Sequence, residues 1–210
     1  MATSSANYQS MREVTLNRLL SIGHSNHSLE KFVSLLKQHR IEVLVDARSS
    51  PYSRFAPQFN AGFLKKALVN SRMKYLFLGK ELGGRPEGSE FYDAQGYVLY
   101  WRIAESPLFL EGIRRLEIGV TKYRVALLCS EEDPSGCHRR LLIGRVLAMR
   151  GIRLDHIRGD GRIQTEEDLL SKEHDQTGGQ PMLFERHGEK AWKSIQSVLQ
   201  RGPQQDSSES

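Results

Sequence analysis

Short apolar runs alternate along the chain with stretches whose apolar residues recur every three or four positions. The run Arg18-Leu19-Leu20-Ser21-Ile22 stops at Gly23 and predicts a first strand. After Ser28, a good N-cap, Leu29, Phe32, Val33 and Leu36 recur at helical spacing. Ile41-Glu42-Val43-Leu44-Val45 then predicts a second strand ending at Asp46. The short linkers of this strand–helix–strand unit suit a right-handed crossover and therefore parallel strands.

The pattern recurs. Asn60 is expected to cap a helical run with Phe63, Leu64, Ala67 and Leu68 on one face, and Tyr75-Leu76-Phe77-Leu78 reads as a third strand. Its exit, from Gly79 to Pro86, reads as a loop by its glycines and proline. A helical region covers about 95–118, divided at Ser106-Pro107, where serine caps and proline takes the first helical position. Tyr123-Arg124-Val125-Ala126-Leu127-Leu128 is the clearest strand. Leu142, Val146 and Met149 mark a helix closed by Gly151, and the residues from Ile152 to Ile157 form a last strand. These elements predict an α/β fold: a three-layer, Rossmann-like domain with a mostly parallel sheet and a C-terminal helical extension. The expected organisation is a flexible tail over 1–16, the α/β domain over 17–165, and a linker over 166–183. An amphipathic helix over 184–201 would carry Phe184, Ala191, Trp192, Ile195 and Leu199 on one side, before a disordered tail over 202–210.

Composition narrows this picture a little. At 210 residues there is room for one well-cored domain. No run approaches the ~18 apolar residues of a membrane span, and no secretory signal is visible, so no membrane association is expected. Two cysteines are too few for a disulfide framework, which points to the cytoplasm. The formal charge of +5 and pI near 9.3 favour an anionic small-molecule or nucleic-acid partner, without a Lys/Arg block that would read as a nucleic-acid arm.

Open parallel sheets bind ligands at the carboxyl ends of their strands, and the reactive residue types fall there. His24 and Ser25 follow the first strand; Asp46, Arg48 and Ser53 follow the second; Gly83, Gly84 and Arg85 follow the third. The fourth is followed by Cys129, Glu131, Cys137, His138 and Arg139. Cys137 falls near a helix start, where free backbone N–H groups, His138 and Arg139 would stabilise a thiolate or bind a phosphate or carboxylate. Cys129 also reads as a small core residue at a strand end. Asp46 and Arg48 point to one side of an extended strand, so they are either a structural ion pair or an anion clamp with its orienting acid. His24 and Glu131 are candidates for proton transfer. Cys129, Cys137 and His138 could supply three corners of a zinc site, with His24 or His156 as the fourth. The spacing matches no standard zinc pattern and adjacent Cys-His pairs seldom chelate one ion, so neither metal nor cofactor is expected.

Taken together, Gly23-His24-Ser25, Asp46-x-Arg48 with Pro51 and Ser53, Leu82-Gly83-Gly84, and Cys129-x-Glu131 through Cys137-His138-Arg139 resemble the domain of unknown function family 488 over roughly residues 18–160. His24, Asp46, Arg48, Glu131, Cys137, His138 and Arg139 fall on its motif positions. The resemblance implies the fold and an enzyme-like site and leaves the reaction open. The leading expectation is a hydrolase or group transferase acting on a nucleotide-like, phosphate-bearing or nucleic-acid base substrate. Catalysis would run through His24, Asp46, Glu131, Cys137 and His138, with Ser25, Arg48, Ser53, Gly83, Gly84, Arg85, Cys129 and Arg139 binding. The alternatives are a thiolate enzyme using Cys137 and a non-catalytic nucleotide or nucleic-acid binding module. Cysteine phosphatases are disfavoured, because their anion loop needs five residues between cysteine and arginine and here only His138 intervenes.

Overall fold

The computed structural model describes residues 18–176 and 192–199. The tails over 1–16 and 202–210, and most of the expected helix over 184–201, lie outside the described residues.

Five parallel strands form the sheet: β1 (Arg18–Gly23), β2 (Val43–Asp46), β3 (Lys74–Phe77), β4 (Val125–Cys129) and β5 (Arg153–Ile157). A two-residue antiparallel strand, β6 (Ile163–Gln164), closes one edge, and the order is β3-β2-β4-β1-β5-β6. Chain travel from β1 to β3 runs one way across the sheet, and from β3 to β5 it runs back. Right-handed crossovers therefore place α1 (Leu29–Gln38) and α2 (Ala61–Asn70) on one face. The short α3 (Gly79–Leu82), α4 (Tyr100–Glu105), α5 (Pro107–Val120) and α6 (Arg145–Met149) take the other.

Burial follows this division. Leu20, Ile22, Leu44, Ala126 and Leu128 pack against Phe32, Leu36, Leu64 and Leu68. Their strand neighbours Leu19, Val43, Val45, Leu127 and Leu154 pack against Leu82, Ile103, Phe109, Ile113 and Val146. Strands covered on both faces need no polar alternation, which is why they read as continuous apolar runs. Two capping expectations hold: the Ser28 side chain accepts from Lys31 N, and Ser106 accepts from Phe109 N with Pro107 opening α5. Asn60 occupies the N-cap position of α2 but makes no capping bond, because its Oδ1 accepts from Ser53 N instead.

Several elements differ from expectation. The loop after β3 begins as α3, and the segment expected to turn helical at 95 instead pairs Tyr92 with Val98 in an isolated bridge. The chain enters α6 through a π-helical turn, Arg139–Gly144. Within the expected linker lies α7 (Glu166–Gln176), the C-terminal helical cover. A reciprocal capping box opens it, Asp168 N to Thr165 Oγ1 and Thr165 N to Asp168 Oδ2, and Arg140 reaches it from the core through Glu166 and Glu173.

Residues 192–199 carry no helix, in contrast to the amphipathic pattern. Their backbone finds partners elsewhere: Ser194 N donates to Val98 O, Val198 N to Gly96 O, and Trp101 N to Trp192 O. Trp192 is the anchor. Its Nε1 donates to Leu141 O at 2.7 Å, its ring meets Tyr100 edge-on, and the Arg145 guanidinium lies over it. Ile195 and Leu199 are exposed. Among the described residues, no helix is long and apolar enough to cross a membrane.

Since Trp192 packs on the core and Ile195 is exposed, Trp192→Ala should cost about 2–3 kcal/mol in urea denaturation, whereas Ile195→Ala should stay within about 0.5 kcal/mol. Equal losses at both positions would restore the amphipathic helix.

Candidate active site

The connections leaving β1 and β4 run in opposite directions across the sheet, which opens a crevice at their carboxyl ends. The register pairs Gly23 with Cys129 and Asp46 with Leu128, so three loops start level with one another. The chain after β4 folds directly over the end of β1: His24 N donates to Cys129 O at 3.0 Å and Ser25 N to Ser130 O at 2.9 Å. Gly23 permits this, because a Cβ there would overlap the Glu131 carbonyl.

At the end of β2, Asp46 is fully buried and spent. It accepts from Arg48 N at 3.1 Å, Arg48 Nε at 2.9 Å, Arg48 Nη2 at 2.6 Å and the Tyr75 hydroxyl at 2.8 Å. Arg48 Nη2 also donates to Phe59 O. Of the two readings of this pair, the geometry matches the structural one. Burial and the Asp46 charge push the Tyr75 hydroxyl well above its ordinary range, so it stays a donor.

His24 stacks on Phe59 with centroids 4.5 Å apart, and its Nδ1 donates to Ser25 O. Burial holds it below its ordinary pKa and hence neutral, and its buried Nε2 has no hydrogen-bond partner. Arg139 is fully buried, and its guanidinium caps the carbonyls of Glu131 and Glu132.

The chemistry gathers around two sulfurs. Cys137, buried just before the π-helical turn, donates its S–H to Cys129, with the sulfurs 3.0 Å apart. His138 Nδ1 lies 3.6 Å from Cys129 Sγ and 3.8 Å from Cys137 Sγ. His138 Nε2 sits 3.1 Å from Ala47 O, and since a carbonyl can only accept, Nε2 is the donor. Nδ1 therefore faces the sulfurs, with a lone pair when the ring is neutral and an N–H when it is protonated. Gly84 allows the close approach behind it: a Cβ there would stand 2.6 Å from His138 Cγ. Gly83 does the same against Ser49 and the Gly79 carbonyl.

The two thiols differ sharply. The Cys137 hydrogen bond, helped by His138 and Arg139 and opposed by burial, holds Cys129 well below the ordinary thiol range. Burial first, then the Cys129 charge, pushes Cys137 well above it. For His138, burial opposes the cation, yet the Cys129 charge and hydrogen bond and the Ala47 carbonyl outweigh it and raise its pKa.

A cleft of about 260 Å³ opens on this cluster. Cys129 and His138 line it together with Ser49, Ser50 and Arg85, Ser130 and Glu131, Tyr100, Ser194 and residues 196–198. Of the residues expected from sequence, Arg48, Gly84, Arg85, Cys129, Glu131 and His138 line the cleft, with Cys137 directly behind Cys129. His24, Ser25, Asp46, Ser53, Gly83 and Arg139 are not on its walls; Ser53 is engaged by Asn60 and Phe55. Sequence reasoning missed Tyr100 and the 194–198 segment, which no local signal marks. Ser49, Ser50 and Ser130 sit beside motif residues and were legible as neighbours.

Fold and site together define a doubly wound α/β protein with a thiol–imidazole cluster at the switch point of its sheet. The chain belongs to the family described as domain of unknown function DUF488, whose model matches residues 28–146. No curated protein and no solved structure matches the chain. The matched span holds β2 to β4, Gly83-Gly84 and the whole Cys129-to-Arg139 segment, and it stops short of residues 192–199.

Arg139→Met should strand the two carbonyls and cost roughly 2–4 kcal/mol by chemical denaturation, whereas Arg85→Met should stay within about 0.5 kcal/mol. The reverse order would make Arg139 a ligand-binding arginine.

Proposed function

We propose that the protein is a cysteine-thiolate hydrolase or group transferase, with Cys129 as the nucleophile and a small substrate bearing an anionic group. The observation that carries this reading is the asymmetry of the sulfur pair: Cys129 borders the cleft, while Cys137 sits behind it and donates an S–H to it. The buried Arg139 guanidinium supports it, because its hydrogen bonds run only to carbonyls and leave its charge for a nearby anion to balance. The cysteine-enzyme alternative thus moves from Cys137 to Cys129. Asp46 has no lone pair left for proton transfer, so carboxylate-assisted hydrolysis would rest on Glu131, which lines the cleft.

In the proposed reaction Cys129 Sγ attacks the electrophilic atom of the substrate, a sulfur–substrate bond forms and the leaving-group bond breaks. His138, as the imidazolium, gives its Nδ1 proton to the leaving group. Water or a second acceptor then releases the substrate fragment, with Glu131 taking the acceptor's proton. Arg85 is the recognition residue: its backbone N–H is held by Ser49 Oγ, which leaves the guanidinium to reach an anion over the cleft.

Chelator-treated protein exposed to one equivalent of iodoacetamide at neutral pH should carry the label on Cys129 and not Cys137, by peptide mapping. Cys137→Ala should slow that labelling by on the order of tenfold through loss of the donor. Preferential labelling of Cys137, or a rate unchanged in Cys137→Ala, overturns the reading. Should a substrate screen find an activity that survives Cys129→Ser and falls with Glu131→Gln, carboxylate-assisted hydrolysis replaces it.

A further inference from the structure

We propose that Cys129, Cys137 and His138 are three protein ligands of one thiophilic divalent cation, zinc by the chemistry of the donor set, with the fourth coordination position opening on the cleft. The two sulfurs and His138 Nδ1 all lie within 4.8 Å of one another. A tetrahedral zinc with Zn–S near 2.3 Å and Zn–N of about 2.0–2.1 Å spaces its ligand atoms roughly 3.4–3.8 Å apart. The two sulfur–nitrogen separations, 3.6 and 3.8 Å, already have that size. Only the sulfur–sulfur separation of 3.0 Å must open, by less than about 1 Å.

The surroundings point the same way. A ligating histidine characteristically gives its other ring N–H to a carbonyl or carboxylate, which sets the tautomer and aims the ring. Ala47 O does this for His138, and Gly84 lets the following loop pack close against the ring. Structural zinc sites are closed by four protein ligands, whereas reactive ones keep a vertex free. Here His24 is stacked on Phe59 and His156 is bonded to Ser21 Oγ, so neither histidine that spacing offered as a fourth ligand joins the cluster. Cys129 and His138 both line the cleft, so a fourth ligand would reach the ion from there.

The objection from spacing, that adjacent cysteine and histidine seldom share an ion, is met by the atom used. Nδ1 is the ring nitrogen nearer the backbone, and Cys137 and His138 straddle the helix start, so their donor atoms converge without a loop between them. This inference needs only the three donor atoms and is independent of the covalent step proposed above. Zinc and an electrophile would compete for the same Cys129 sulfur.

The test uses the full chain, purified under reducing conditions, stripped with a chelator and titrated with Co²⁺ and Zn²⁺. The expected result is one equivalent of Co²⁺ giving tetrahedral d–d bands and a sulfur-to-cobalt charge-transfer band, displaced by Zn²⁺. Zinc should also protect Cys129 from iodoacetamide. Cys129→Ser, Cys137→Ser and His138→Ala should each weaken Zn²⁺ binding by more than the about 10–100-fold that losing an outer partner costs. A wild-type cobalt spectrum without the sulfur band, or zinc affinity no tighter than that of the double variant Cys129→Ser/Cys137→Ser, overturns the inference. That failure would leave the labelling of the metal-free protein as it was, so the two readings fall separately.

Discussion

The closed ion pair between Asp46 and Arg48 is the interaction on which the site depends. Both side chains are buried, and burying two charges is tolerable only where every remaining lone pair and N–H is satisfied. The Tyr75 hydroxyl fills the last acceptor position of Asp46, and the Phe59 carbonyl takes a further N–H of Arg48. The intervening residue Ala47 is buried, its N–H donates to Leu128 O, and its carbonyl accepts from His138 Nε2. A pair that could have been an anion clamp thus flanks the carbonyl that orients the imidazole one strand away.

Close approach is the second condition. Gly23 lets the chain after β4 cross the end of β1, and Gly84 lets the loop after α3 rest on the His138 ring. Arg139 then ties that crossing chain back to the π-helical turn through two carbonyls. π-Helical turns recur at functional sites because they redirect side chains that a regular helix would space evenly. Here the turn follows the two residues, Cys137 and His138, that meet Cys129. Backbone and side chains together hold the cluster on a rigid frame, with only its cleft side open.

The polar groups of the site therefore fall into two sets. Asp46, Tyr75 and Arg139 are engaged in internal bonds that hold the frame, and Arg48, bonded to Asp46, also reaches the cleft. Cys129, His138, Glu131 and Arg85 border the cleft. Ser194, Gln196, Ser197 and Val198, beyond the span that the family model matches, complete the lining of the cleft.

Much of this was legible in the sequence. The two periodicities marked the strands and helices, since buried parallel strands are continuously apolar and surface helices are striped. Gly-His-Ser, Asp-x-Arg and the Cys129-to-Arg139 stretch fell at strand ends, where a parallel sheet puts its ligands, and the cleft opens beside the second and third of them. The box at Thr165 and Asp168 was also written there, hidden by the polar composition of α7, whose stability comes from packing and the Arg140 ion pairs. What sequence could not determine was which groups were free. Whether Asp46 acts or merely holds Arg48, whether Cys129 or Cys137 meets the cleft, and whether Trp192 sits on a helix all depend on partners far along the chain. Hydrogen-bond saturation and burial are properties of three-dimensional neighbours, and only the tertiary structure assigns them.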